Sequence, residues 1–237
     1  VPARDGRKYF RKVETTDIPN MDTNKATDNV SFEVMNNAME GLFRLGQGDK
    51  VELGMVESYV VSEDGLTYTF NLRQNAKWVK SDGSLYGNVT ANDFVYSWDR
   101  LTDENTGAQY SFMADTAQFE SYTAIDDYTL EVKLASPVPF FESLMTFPVF
   151  YPVNEAFVTE KGEKFGTTKE DTIYNGPFYL GEWNIGENHT LVKNELYWDA
   201  AVVNLEEVYY KIVVGADNNT IVNLYLNGEL DRAFLSG

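Results

Sequence analysis

The chain contains no cysteine, which excludes a disulfide frame and thiol chemistry, and its one histidine, His189, is too few for the usual zinc constellations. Any metal site would have to be built from oxygen ligands, and no metal or cofactor is expected. Basic residues are also scarce: 19 Lys and Arg stand against 37 Asp and Glu, a formal charge of −18. That charge repels phosphate backbones and anionic headgroups, so nucleic acid is excluded as a partner class. No apolar run approaches the roughly 20 residues that span a bilayer. The opening residues VPARDGRKYF lack a secretory apolar core, so any signal or anchor is expected upstream of this numbering.

Recognisable catalytic machinery is missing too. None of G-x-S-x-G, H-E-x-x-H, G-x-x-x-x-G-K-[ST] or G-x-G-x-x-G occurs. His189, in GENHTL, reads as a surface-turn histidine in preference to a general base. The adjacent acids Asp126-Asp127 and Glu206-Glu207 read as turn and surface residues, because neighbours on a strand point apart. DTNKATD, residues 22–28, begins like a calcium loop, but Thr27 stands where that loop requires glycine, so an EF-hand is rejected. The expectation is a protein that is not an enzyme.

What the sequence does have is aromatic content, 15 Tyr, 15 Phe and 4 Trp, and well-signed local structure. In residues 62–78, SEDGLTYTFNLRQNAKW, Leu66, Tyr68, Phe70 and Leu72 alternate with polar residues, the period of a half-buried strand. Gly65 supplies the preceding turn, and Tyr59, Val60 and Val61 a partner strand. Residues 28–43 place Phe32, Met35, Met39 and Leu42 at helical spacing behind Asp28 as N-cap. VTANDFVYSW carries a Thr90/Asp93 capping box, with Phe94, Trp98 and Leu101 on one face. Leu130, Val132 and Leu134 predict a strand, residues 140–147 an apolar helix after Pro137 and Pro139, and residues 159–173 an exposed connection. Strands are expected at 178–180, 190–192 and 208–214, and a helix over 220–227 stopped by Gly228. Hairpins with scattered helices argue a mixed α/β or α+β fold.

The same segments carry a resemblance. ESYVVSEDGLTYTFNLRQNAKW, SDG at 81–83 and VTANDFVYSW, with NNAMEGLFRL, AIDDYTLEVKLASPVPFF, YNGPFYL, KNELYWDA and LYLNGELD in collinear order, closely resemble the extracytoplasmic oligopeptide-binding proteins of ABC importers. The resemblance covers nearly the whole chain. It implies a periplasmic-binding-protein-like first lobe, residues 1–46 and 154–237, with an inserted smaller α+β domain, residues 47–153. Family members run to about twice this length, so the second lobe, with the acidic residue that holds a peptide's amino terminus, is expected beyond this chain.

The resemblance also implies cleft positions. Thr27, Asp28 and Asn29 match the extended segment whose backbone lies beside the bound peptide, Tyr110 a tyrosine reaching the cleft from the inserted domain, and Phe234 an aromatic near the crossing to the second lobe. Ordinary packing is the competing reading for Tyr110 and Phe234. Glu104 departs from the family, which commonly has proline there and so a stiffer loop. The implied function is capture of extended oligopeptides for a membrane permease. Dipeptides, nickel complexes, haem or oligosaccharides are the alternative solutes, and a secreted enzyme or an interaction module the alternative classes. The implied location is the outer face of the cell membrane, lipid-anchored, or the periplasm. The implied state is a monomer, with self-association of this chain through its exposed cleft face.

Overall fold

In a computed structural model, which describes residues 6 and 8–234, the fold is mixed α/β. One four-stranded sheet has the order β1 (Tyr9–Glu14), β12 (Glu207–Ile212), β11 (Asn188–Lys193), β10 (Phe178–Asn184), with β1 parallel to β12 and the other pairs antiparallel. A second sheet, wholly antiparallel, has the order β4 (Val56–Val61), β5 (Thr67–Leu72), β9 (Thr129–Leu134), β8 (Phe119–Asp126). Two short ribbons complete the strands: β2 (Phe43–Leu45) with β3 (Val51–Leu53), and β6 (Lys77–Val79) with β7 (Leu85–Asn88). The helices are α1 (Asn29–Ala38), α2 (Ala91–Thr102), α3 (Phe112–Thr116), α4 (Phe141–Leu144), α5 (Glu155–Lys161) and α6 (Asn218–Leu226).

The expected hairpin is β4–β5, with Tyr68, Phe70 and Leu72 buried and Gly65 at φ 72°, a left-handed turn that a Cβ would resist. Phe70 meets Phe43 and Phe141, and α2 lies against β8, so Phe94, Trp98 and Leu101 close the core over the second sheet. A separate core under the first sheet gathers Met21, Met35, Tyr174, Leu180 and Leu191. The outermost residues of the expected first lobe, 1–5, 7 and 235–237, lie outside the described residues.

Three local expectations need correction. The helix entered at Asp28 ends at Ala38: Met39 is extended, and Glu40 instead exchanges two hydrogen bonds with the Asn175 side-chain amide, at 3.1 and 2.8 Å. Met39 and Leu42 are buried, but outside the helix, which helical spacing over so few residues does not distinguish. The apolar helix after Pro139 is the single turn α4, not the whole of 140–147. Residues 159–173 are not simply exposed, since α5 runs to Lys161 and Phe165 is buried. Gly166, at φ 78°, accepts from Met21 N–H at 2.8 Å with no room for a side chain beside Asp22.

The Thr90/Asp93 capping box expected at the start of α2 is present, and its acid has further partners. The Asp93 carboxylate accepts from Thr90 N–H at 2.8 Å, Trp78 Nε1 at 3.0 Å and Asn154 Nδ2 at 3.0 Å. Burial nevertheless outweighs these bonds and lifts its pKa to about 6.

Candidate functional site

The chain entering α1 is rigid because of the motif that failed as a calcium loop. Asp22, 2% exposed, takes both terminal nitrogens of Arg100 at 3.0 and 2.8 Å, and Asn24 accepts from Arg100 at 2.6 Å while donating to Ser97 Oγ and Val149 O at 3.3 Å. This buried polar tie fastens residues 22–24 to α2. Asp22→Ala leaves Arg100 without its counter-ion, so a loss of about 3–5 kcal/mol is expected, a fall in Tm of about 10 °C. A thermal melt checks it, and a shift below about 2 °C contradicts the tie.

Beyond the tie, Thr27 is exposed and its main-chain N–H and C=O have no partner among the described residues. Both Asp28 carboxylate oxygens are occupied in capping, accepting from Ser31 N–H and Oγ at 2.8 Å each. Its C=O accepts from Phe32 N–H at 3.1 Å, so Asp28 serves as the N-cap of α1. Exposed Asn29 opens α1 and lines a groove of about 570 Å³ with Lys12, Glu14, Val30, Glu33, Ile221 and Phe234. Lys12 pairs with Glu33 and lies 3.7 Å from Glu14, and Tyr210 Oη donates to Glu33 at 3.2 Å, which holds α1 to the first sheet. Burial, then the charge of Glu33, raises the Glu14 pKa.

Phe234, 72% exposed, reaches the groove because the chain after α6 is clamped to β1. Arg11 donates from Nε and Nη2 to the two Asp231 oxygens at 3.0 Å and from Nη1 to Gly228 O at 2.7 Å. Gly228, at φ 73°, is the expected helix stop. Tyr110, in the turn before α3, packs against α1 away from this groove: its ring is 5.9 Å from Phe32, 5.6 Å from Phe147 and 5.7 Å from Phe112. Phe32 and Asn29 are three residues apart, about 4.5 Å along the helix. Of the five expected cleft residues, Asn29 and Phe234 line this groove; Thr27, Asp28 and Tyr110 do not, and Tyr110 meets the same helix at Phe32.

Sequence reasoning missed a second polar centre. Glu40, 3% exposed, accepts from Tyr197 Oη at 2.5 Å and Trp198 Nε1 at 2.6 Å, with Arg44 Nη1 at 3.5 Å and the Arg73 guanidinium 3.5 Å over the Trp198 ring. Burial raises the Glu40 pKa against these partners. The centre explains why MEGLFRL and KNELYWDA belong together: they share one buried carboxylate.

His189 corrects its own expectation. It is a buried residue of β11, 1% exposed, stacked 4.3 Å from Tyr210, with Nε2 finding no partner among the described residues. GENHTL looked like a turn because Gly186 and Glu187 do form one; the strand begins at Asn188. Burial, then the charge of Lys12, lowers its pKa to about 3. No three His, Cys, Asp or Glu side chains among the described residues gather as metal ligands, and no described helix is long and apolar enough to cross a membrane.

Comparison with known proteins gives a consistent result. Residues 50–236 match the family described as bacterial extracellular solute-binding proteins, family 5, middle. The dipeptide-binding protein DppE of Bacillus subtilis (strain 168) is 38% identical over 221 residues, covering 88% of this chain and 39% of that protein. The oligopeptide-binding protein AmiA of Streptococcus pneumoniae serotype 4 is 33% identical over 243 residues, covering 96% of this chain and 37% of that protein. Among solved structures, Listeria monocytogenes OppA bound to peptide superposes with a TM-score of 0.89 at 38% identity, over 98% of this chain and 47% of that one. The chain therefore spans less than half the length of the relatives it matches.

Proposed function

The chain belongs to the bacterial extracellular solute-binding proteins, family 5, and from that premise we propose that it supplies one wall of a peptide-binding cleft in the receptor of an ABC importer. The observation that carries this reading is the first turn of α1, which places Asn29 and Phe234 in one groove while Phe32 joins Tyr110. The unpartnered main chain of Thr27 suits a ligand read through its own main chain, which every peptide shares. Peptide recognition by relatives of this family supports extended peptides as the ligand.

In this reading residues 1–46 and 154–237 form the first lobe and residues 47–153 the inserted domain. The segregation of the two four-stranded sheets supports that division: one uses only strands from 9–14 and 178–212, the other only strands from 56–134. A second lobe, present in a protein of the relatives' length, closes over the ligand, and the closed form is what a permease distinguishes. The receptor acts outside the cytoplasmic membrane, held there by a lipid anchor or free in the periplasm. No reaction is assigned to it.

In a chain of the relatives' length, Tyr110→Ala and Phe234→Ala are each expected to weaken peptide binding about 5- to 30-fold, the loss of one well-packed aromatic contact. Calorimetric titration checks both. Unchanged affinity in the double variant would remove these two residues from the cleft.

A further inference from the structure

The segment that leads into α1 borders a small internal cavity of about 10 Å³, whose other lining includes Trp78 of β6, residues 152–154 and Ile173. Every lining residue except Asn154 is buried. The polar side chains around it are engaged elsewhere, since Trp78 Nε1 donates to Asp93 Oδ2 and Asn154 donates to Asp93 Oδ1 while accepting from Phe157 N–H, each at 3.0 Å. Thr23 is the exception. It is 2% exposed, and its Oγ1 has no hydrogen-bond partner among the described residues.

The main chain of the lining residues holds further unpaired groups. Around Thr23, Asp22 N–H donates to Asn20 Oδ1 at 2.6 Å, Asn24 N–H to Asp22 Oδ1 at 3.1 Å, and the N–H groups of Lys25 and Ala26 to Asp22 O. Thr23 N–H, in their midst, has no partner among the described residues. Tyr174 exchanges both main-chain bonds with Val79, at 2.9 and 2.8 Å, but Ile173 N–H, one residue earlier and in a residue 3% exposed, is likewise unpartnered, as is the C=O of buried Pro152. Buried groups of this kind are nearly always satisfied, by protein or by ordered water.

We infer that Thr23 Oγ1 anchors a single-water site, its water shared between Thr23 and the main chain of Ile173 and Pro152. Size and chemistry fix the ligand. One water needs about 10–15 Å³ and two to four polar partners, and a purely apolar cavity of the same size stays dry. No lining residue is Asp, Glu, Lys, Arg or His, so neither a metal ion nor a charged solute has a ligand there. The water complements the Asp22–Arg100 tie: the tie fastens residues 22–24 to α2, and the water fastens Thr23 to residues 152 and 173. Thr23 is then a positioning residue for the chain that continues to Thr27 and Asn29. The site stands whether or not the protein binds peptide.

A crystal structure of this chain at better than about 2 Å, with that of Thr23→Val beside it, tests the site. The parent is expected to show one water about 2.5–3.2 Å from Thr23 Oγ1, and the variant to lose it. Thermal melts give an independent sign, because valine keeps the shape of threonine without its hydroxyl. With the water in place, valine strands the main-chain groups that the water satisfied, and a fall in Tm of about 2–4 °C is expected. Were the hydroxyl without any partner, the same substitution would remove a buried unsatisfied group and Tm would rise. A dry cavity in the parent, a water that persists in Thr23→Val, or a Tm that does not fall each overturns the inference. If the variant does not fold, the density beside Thr23 in the parent decides alone.

Discussion

His189→Phe is expected to become progressively more stable than the parent as pH falls below about 6.5, while its stability at pH 7 is intact or raised. The folded chain holds His189 neutral down to about pH 3, whereas the unfolded chain protonates it near 6.5. The contribution of the neutral ring is therefore complete above about pH 6.5 and is lost as pH falls, because only the unfolded state takes up the proton. At 1.36 kcal/mol per pH unit the loss reaches about 3 kcal/mol at pH 4 and about 4–5 kcal/mol near pH 3. Phenylalanine keeps the stack on Tyr210 and removes the buried nitrogen that lacks a partner.

Asp93 works in the opposite direction. Its folded pKa, about 6, lies above the ordinary value of 3.8, so the folded state binds the proton first and gains stability as pH falls between those values. The gain, about 3 kcal/mol, offsets most of the His189 loss down to about pH 4, below which His189 dominates. Denaturation midpoints of the parent and variant, followed from pH 7 to 3.5, should therefore diverge steadily. Parallel curves would mean that His189 is solvated in the folded chain.

The elements that sequence made legible are those whose signals are local. Alternation around Phe70, the Gly65 turn, the Asp28 and Asp93 caps and the Gly228 stop each depend on residues within one turn or strand of each other. What stayed hidden depends on partners far apart in the chain. Asp22 and Asn24 look like a damaged calcium loop until Arg100, 78 residues from Asp22, lies against them. Glu40 falls within the segment expected to be helical, but the helix ends two residues short of it, and Tyr197 and Trp198, far along the chain, bury it. His189 has no local sign of burial because its neighbours Asn188 and Thr190 are polar; the ring is covered by β12 and Tyr210. The candidate cleft was legible only through resemblance, since nothing in Phe234 or Tyr110 alone separates a ligand contact from packing. The clamp between Arg11 and Asp231 supplies the missing reason for Phe234 to be exposed where it is.

The largest expected effect is on ligand binding. A cleft between two lobes takes much of its contact area from each, and this chain spans less than half the length of its relatives. In the proposed receptor the 237 residues provide the main chain of Thr27, the groove at Asn29 and the aromatic contacts. In that proposal the opposing wall, with the acidic partner that the resemblance implies for a peptide's amino group, comes from the part of the relatives' length that this chain does not span. Removing a buried charge partner together with about half of the contact surface is expected to weaken binding by a factor of about ten thousand, or about 5.5 kcal/mol. A ligand held at micromolar concentration by the longer chain would then leave this one unoccupied at any practical concentration.

Isothermal titration with a mixture of di- and oligopeptides, run in parallel on the 237 residues and on a chain of the relatives' length, tests the central claim most directly. The account predicts a saturable heat for the longer chain and none for the shorter. Comparable affinity in the two would contradict it, because the whole binding site would then lie within these 237 residues.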